Sequence, residues 1–163
     1  MNMRRALLSP VALSFVVAIG AGMTGSGGNS IEAAQWNATT VPVRGTVYGG
    51  WEDVRFWGDV QIETRLALDP LDSTRNKLVV LIDLSGVSGK GVDSGNGYTV
   101  RDPESVHHRQ LAGSDAIAVA FPFSRSSGRW TTSTRGGLAS FSFTVDTTTG
   151  AVMSASGGIG NVE

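Results

Sequence analysis

Few residues in this chain belong to the types that carry out chemistry, and spacing decides what they could do. His107 and His108, with Asp102 and Glu104 close by, form the best cluster of donors for a divalent cation. Adjacent residues on a strand point to opposite faces, so the two imidazoles chelate one ion only if the segment is irregular. Otherwise they are exposed polar side chains beside Arg109 and Gln110. Asp83, which follows Ile82 in an apolar run, is either a carboxylate shifted by a pocket or one that accepts a local hydrogen bond near a strand end.

Two glycine-bearing segments invite catalytic or phosphate-binding readings, and both fail on position. Ser85 to Gly97 follows an apolar strand and contains Gly89-Lys90. A phosphate loop, however, needs Ser or Thr where Gly91 stands and Gly where Leu84 stands. The dinucleotide fingerprint fails at Ser94, and no helix follows to receive a phosphate. The segment reads as a flexible loop between strands. Asp93-Ser94-Gly95 bears a superficial resemblance to the nucleophile segment of serine proteases. Asn96 replaces that motif's second glycine, and the chain is too short for the double barrel of those enzymes. No base and orienting group are placed beside Ser94 by local sequence.

The aromatic residues give a stronger signal. Between Val54 and Leu68 the even positions Val54, Phe56, Val60, Ile62, Leu66 and Leu68 are apolar, while Arg55, Asp59, Gln61, Glu63 and Arg65 are polar. Period-two alternation means a strand with one dry face. Trp57 falls on the polar face, and the same phase carried backwards adds Trp51, with Asp53 and Arg55 between them. Large aromatic area outside a core marks a contact surface. Alternatively another strand, the segment around Trp36 or a bulge at Gly58 covers the rings. Tyr48, Trp51 and Trp57 are the ligand- or partner-binding residues this reading selects.

The elements that must position them are strands. At about 3.3 Å per residue the Val54–Leu68 pattern approaches ~50 Å, so a kink or bulge is expected at Gly58. Ile117, Val119, Phe121 and Phe123 share one face of a second strand, and Ala139, Phe141, Phe143 and Val145 share one face of a third. Pro122 cannot donate a ladder hydrogen bond and belongs at a sheet edge or bulge. The apolar run Leu78 to Leu84 suits a strand covered on both faces, and Val41–Tyr48 and Gly97–Arg101 are shorter candidates. Asp146 to Gly150 and Gly49-Gly50 are turns, and Asp69-Pro70 begins a loop leading to Lys77. The one helical possibility is a turn or two starting at Asp102-Pro103-Glu104.

Composition narrows the class. The 163 residues contain no cysteine, which excludes a disulfide framework, a thiolate metal site and a cysteine nucleophile. The first residues have the form of an export signal: a cationic start at Arg4-Arg5, an apolar stretch from Ala6 to Met23, and small-residue cleavage candidates between 20 and 34. Arg4-Arg5 resembles a twin-arginine signal, although Met3 stands where Ser or Thr is usual. Ser9, Pro10, Ser14, Gly20 and Gly22 dilute the stretch, leaving too short an apolar core to span a membrane. The leader holds only Arg4, Arg5 and Glu32 of the charged residues, so the remainder stays close to the chain's net charge of −1, with no electrostatic footprint for nucleic acid. Asn37-Ala38-Thr39 matches a glycosylation acceptor, meaningful only in a eukaryotic secretory pathway.

These observations predict a leader over residues 1–34 and one all-β domain over 35–163. The domain is expected to be an antiparallel β-sandwich or small β-barrel of about seven or eight strands. Its expected place is extracytoplasmic, periplasmic or secreted, with no stable membrane span once the signal is removed. The expected role is non-catalytic: a binding module or structural component with no cofactor and no metal. The partner would be a protein, a glycan or a small molecule, and self-association through an exposed edge strand is open. One alternative is a carrier barrel around a small apolar ligand. Another is a metal-dependent enzyme using the His107/His108 region.

Overall fold

The computed structural model describes residues 35–69, 71–126 and 134–162; the expected leader lies outside them. Among the described residues there is no helix, and nine strands form a single sheet. They are β1 (Asn37–Val47), β2 (Val54–Asp69), β3 (Asp72–Asp83), β4 (Val87–Gly91), β5 (Gly97–Val100), β6 (Glu104–Gln110), β7 (Ser114–Arg125), β8 (Arg135–Val145) and β9 (Val152–Gly160). The order is β1-β9-β8-β7-β5-β4-β2-β3-β6, and β1 also pairs with β2. That extra pairing rolls the sheet into a ring, so the structure is a barrel rather than a sandwich.

The count exceeds the expected seven or eight because two long paths are broken. β3 and β4 lie on the same side of β2, against Gln61 to Asp69 and Val54 to Gly58 respectively. Between them Leu84, Ser85 and Gly86 face only Asp59 and Val60, an inserted residue of the kind that bends a strand. The irregularity expected at Gly58 is therefore present at that height, but the extra residue sits in the facing strand. β5 and β6 are similarly interrupted at Asp102, whose φ of 47° turns the corner. Counted as continuous paths the ring has seven, alternating up and down. With an odd number the first and last run the same way, so β1 and β9 meet in parallel, at Gly45 and Ile159. This pairing is the exception to the antiparallel pattern expected.

The interior follows the predicted phase. Val54, Phe56, Val60 and Ile62 are fully buried, and the inward sets Ile117 to Phe123 and Ala139 to Val145 are buried at alternate positions. The phase fails at the end of β2, where Leu66 is only partly buried and Leu68 is 59 % exposed because the strand there runs past the core. Phe56 packs edge-on against Phe121 and Phe123, with ring centroids 5.6 and 4.9 Å apart. Each such ring removed from water stabilises the fold by about 1.5–3 kcal/mol. At the far end of β2, Thr64 is buried but donates its hydroxyl to the Gly150 carbonyl at 2.6 Å.

Four local expectations are corrected. Asp102-Pro103-Glu104 starts no helix: Glu104 begins β6, whose residues pair along β3 from Asp83 to Lys77, so cross-strand partners take the backbone groups a helix would need. The glycine-rich segment is no flexible loop either. β4 and β5 form a hairpin there, in which the inward positions Gly89 and Gly91 are held open for Phe56 and Glu52. The segment from Asp69 to Lys77 is mostly strand, because β3 already begins at Asp72. Pro122 is at neither an edge nor a bulge: it pairs with Gly136 of β8 and sits where the pairing of β7 on its other side runs out. Its carbonyl accepts from the Arg101 N–H at 2.7 Å, and the β5–β7 ladder covers only Phe123 to Arg125. Proline offers no N–H to extend that ladder, and towards Ser114 the strand β7 is paired on its β8 side alone. The apolar run shows Leu78, Val80, Ile82 and Leu84 inward, with Val79 also buried on the outer side.

Candidate functional site

Two groups of polar and aromatic residues stand out, both anchored on the β1–β2 hairpin. The first closes one end of the barrel. Gly49 and Gly50, with φ of 92° and 71°, supply the left-handed geometry that turns the chain after β1, and Asp53 accepts from the Gly49 N–H. The turn throws Glu52 inward, where it is 6 % exposed. Its Oε1 accepts from the Tyr98 hydroxyl at 2.6 Å and from the Ser94 hydroxyl at 2.8 Å, while Oε2 accepts from the Ser94 N–H. Arg125 lies 3.6 Å away. These donors stabilise the ionised form, the Tyr98 hydroxyl most of all, and hold the Glu52 carboxyl at about 2 against an ordinary 4.5.

Tyr98 is the hub of this group. Its ring is buried against Phe123, and its oxygen also accepts from the Trp51 indole N–H at 3.1 Å and the Arg125 Nε at 3.3 Å. Arg135 donates to the Glu52 carbonyl at 2.7 Å while lying over the Phe123 ring. The donors and acceptors of the carboxylate and the phenol are used within the group. Such a network ties the turn after β1 to β5, β7 and β8.

The second group lies on the outer wall. Trp57 is 46 % exposed on β2, flanked across the sheet by Arg44 of β1 and Ser88 of β4. The next row on that face is Thr46, Arg55 and Lys90. A groove of about 620 Å³ runs from Trp57 and Arg55 over Lys90 to the turn at Asp93 and Ser94. Another of about 360 Å³ lies on the other side, between Trp57 and Arg44. The side chains of Arg44, Arg55 and Lys90 have no ion pair or hydrogen bond to any described residue.

The sequence-selected residues are thus divided. Trp57 stands on the outer face as its phase requires. Trp51 does not share that face, because the strand starts only at Val54; the indole lies at the barrel end, bonded to Tyr98 and beneath the Arg125 guanidinium. Tyr48, 63 % exposed, follows β1 and exchanges backbone hydrogen bonds with the Asn161 side chain. Trp36 does not cover Trp57; it stacks on Arg65, at the other end of β2. Glu52, Tyr98, Arg125 and Arg135 went unnoticed in the sequence, although Tyr98 and Val100 alternate with Gly97 and Thr99 as an inward pair would.

The remaining candidates are not assembled into a site. β6 is regular, so His107 shares the inner side with Ser105, 3.1 Å away, while His108 points outward. Burial first, and Arg109 second, hold the His107 imidazole below its ordinary value. Among the described residues no three His, Asp or Glu side chains are grouped to hold a metal ion. Ser94 is bonded to Glu52 and Asn96, and Asp83 accepts locally from the Ser85 N–H and hydroxyl.

No family model, curated protein or solved structure matches this chain. The site must therefore be read from its own geometry.

Proposed function

We propose that the protein is a non-catalytic binding module that works outside the cytoplasm and holds its partner through Trp57, Trp51 and Tyr48 on the β1–β2 hairpin. The observation that carries this reading is the exposure of Trp57 on β2, a strand paired by β1 and β4, with grooves on both sides. An indole on a rigid ladder offers contact area with little side-chain entropy to lose on binding. Trp51 and Tyr48, 52 % and 63 % exposed, add separate aromatic area at the barrel end, off the face that carries Trp57. Export is supported by the form of the first residues, with Arg4-Arg5 ahead of an apolar stretch.

The carrier reading is less well supported, since Phe56, Phe121, Phe123 and Phe141 fill the interior where a ligand would have to sit. The metal-enzyme reading needs His107 and His108 on one ion, and they occupy opposite faces of β6.

Screening wild-type protein and the Trp57→Ala variant on a glycan array tests the proposal, alongside chemical denaturation. The expected result is a ligand retained by the wild type and lost by the variant, with unfolding free energy changed by about 1 kcal/mol or less. A loss of about 3 kcal/mol or more would identify Trp57 as a packing residue and overturn the reading.

A further inference from the structure

We infer that the outer wall around Trp57 binds an acidic polysaccharide, with a sugar ring lying on the indole and its carboxylates on Arg44, Arg55 and Lys90. The inference rests on the binding-module reading and adds the chemical class of the ligand.

Register fixes the arrangement. Arg44, Trp57 and Ser88 occupy one row across β1, β2 and β4, and Thr46, Arg55 and Lys90 occupy the next row on the same face. Rows of one face are separated by about 7 Å and neighbouring strands by about 4.8 Å, so the cations stand around the indole at a spacing comparable with one sugar residue. The C–H face of a pyranose ring packs on an indole, and a guanidinium fork pairs with a carboxylate. Arg44, Arg55 and Lys90 have no acidic partner among the described residues, unlike Arg109 and Arg125, which are paired with Asp115 and Glu52. Three cations without internal partners beside one exposed ring suit a ligand that is both anionic and flat-faced. The two grooves meet at Trp57 and Arg55 and reach from Arg44 and Thr46 on β1 to the turn after β4, a run suited to an extended chain.

Acidic side chains bound the patch and limit where the carboxylates of a chain can lie. Asp93 lines the larger groove, and Asp59 stands two residues beyond Trp57 on the same strand face. A single-stranded nucleic acid needs successive stacking platforms and a broad positive field, whereas this wall carries one tryptophan on a chain of net charge −1.

Titration calorimetry of the purified protein with polygalacturonate tests the inference, with methyl-esterified polygalacturonate and oligodeoxythymidylate as comparison probes. Polygalacturonate is expected to bind, more weakly as ionic strength rises, and the esterified polymer is expected to lose most of that affinity. The Arg55→Gln/Lys90→Gln double variant and Trp57→Ala should each bind the acid polymer at least about tenfold more weakly while remaining folded at the temperature of the titration. Equal affinity for acid and ester, or no binding of the acid, overturns the acidic-glycan assignment. Tighter binding of oligodeoxythymidylate overturns it in favour of a nucleic acid. In each of those cases the broader binding reading stands if Trp57→Ala still abolishes capture of a ligand on the glycan array. It falls as well if no ligand distinguishes the variant from wild type.

Discussion

The barrel end around Glu52 and the wall around Trp57 use similar residue types to opposite effect. At the end, a carboxylate, a phenol, an indole and two guanidinium groups use one another as partners, and the carboxylate is closed off from water. On the wall, an indole and three cationic side chains stand close together, and the cations have no partner among the described residues. Satisfied groups contribute to stability; unsatisfied ones on the surface are available to something else. The opposite wall, on β7, β8 and β9, sharpens the point. There most exposed positions, among them Ala116, Ala118, Ser140, Ser142, Ser154 and Ser156, are small and all are uncharged, with Met153 the large exception, while the inner faces of the same strands carry the aromatic core. Similar strand physics builds both walls, and only the outward-facing residues differ.

The contrast between barrel end and Trp57 wall can be broken most sharply at Gly91. A Cβ there would lie 2.2 Å from a Glu52 carboxylate oxygen that its hydrogen bonds pin in place. Gly91→Val is expected to destabilise the fold by about 2–3 kcal/mol in a denaturant titration. If its stability equals wild type, the network is looser than its geometry implies. Tyr98→Phe comes next. It removes the hydroxyl shared by Glu52, Trp51 and Arg125, and a loss of about 1–3 kcal/mol should follow.

Acid should act on the same end. Because folding lowers the Glu52 pKa from 4.5 to about 2, its stabilisation is complete above about 4.5 and is lost as the pH falls towards about 2. Glu52→Gln should therefore make the acid decline of the unfolding midpoint shallower in that window. Some decline should remain, since Asp69, Asp115 and Asp146 are also held below their ordinary values by hydrogen bonds. The smallest effect belongs to the wall: Arg55→Gln/Lys90→Gln should shift stability by no more than about 0.5 kcal/mol, measured by the same titration. A larger loss would mean that these cations do structural work.

Much of the barrel was legible beforehand. The Val54–Leu68, Ile117–Phe123 and Ala139–Val145 patterns each announced a strand and, except at the exposed Leu68, the side that would be dry, because side-chain direction alternates within the strand itself, although burial also needs something to cover it. The turns at Gly49-Gly50 and Asp146–Gly150 were legible for the same reason: both are local conformations, with the Gly150 N–H closing on the Asp146 carbonyl. Trp57 was placed correctly by its phase. Trp51 was not, since the phase that would have put it beside Trp57 stops at Val54, where the ladder stops. The Asp102-Pro103 signal misled because a cap motif states a preference, and the ladder to β3 overrode it. The glycines of the β4–β5 hairpin read as loop because their reason, room for Phe56 and Glu52, lies on another strand.

What the amino-acid order alone determined is therefore the long strands, most of their buried faces and the side of β2 on which Trp57 lies, all consequences of neighbours a few residues apart. Closure of the ring, and the difference between a used and an unused polar group, belonged to tertiary structure. Glu52 meets Tyr98 across 46 positions and Arg135 across 83, and β1 meets β9 at opposite ends of the domain. Pairings of that range depend on sheet register and on the whole path of the chain, and no short window of sequence contains both partners.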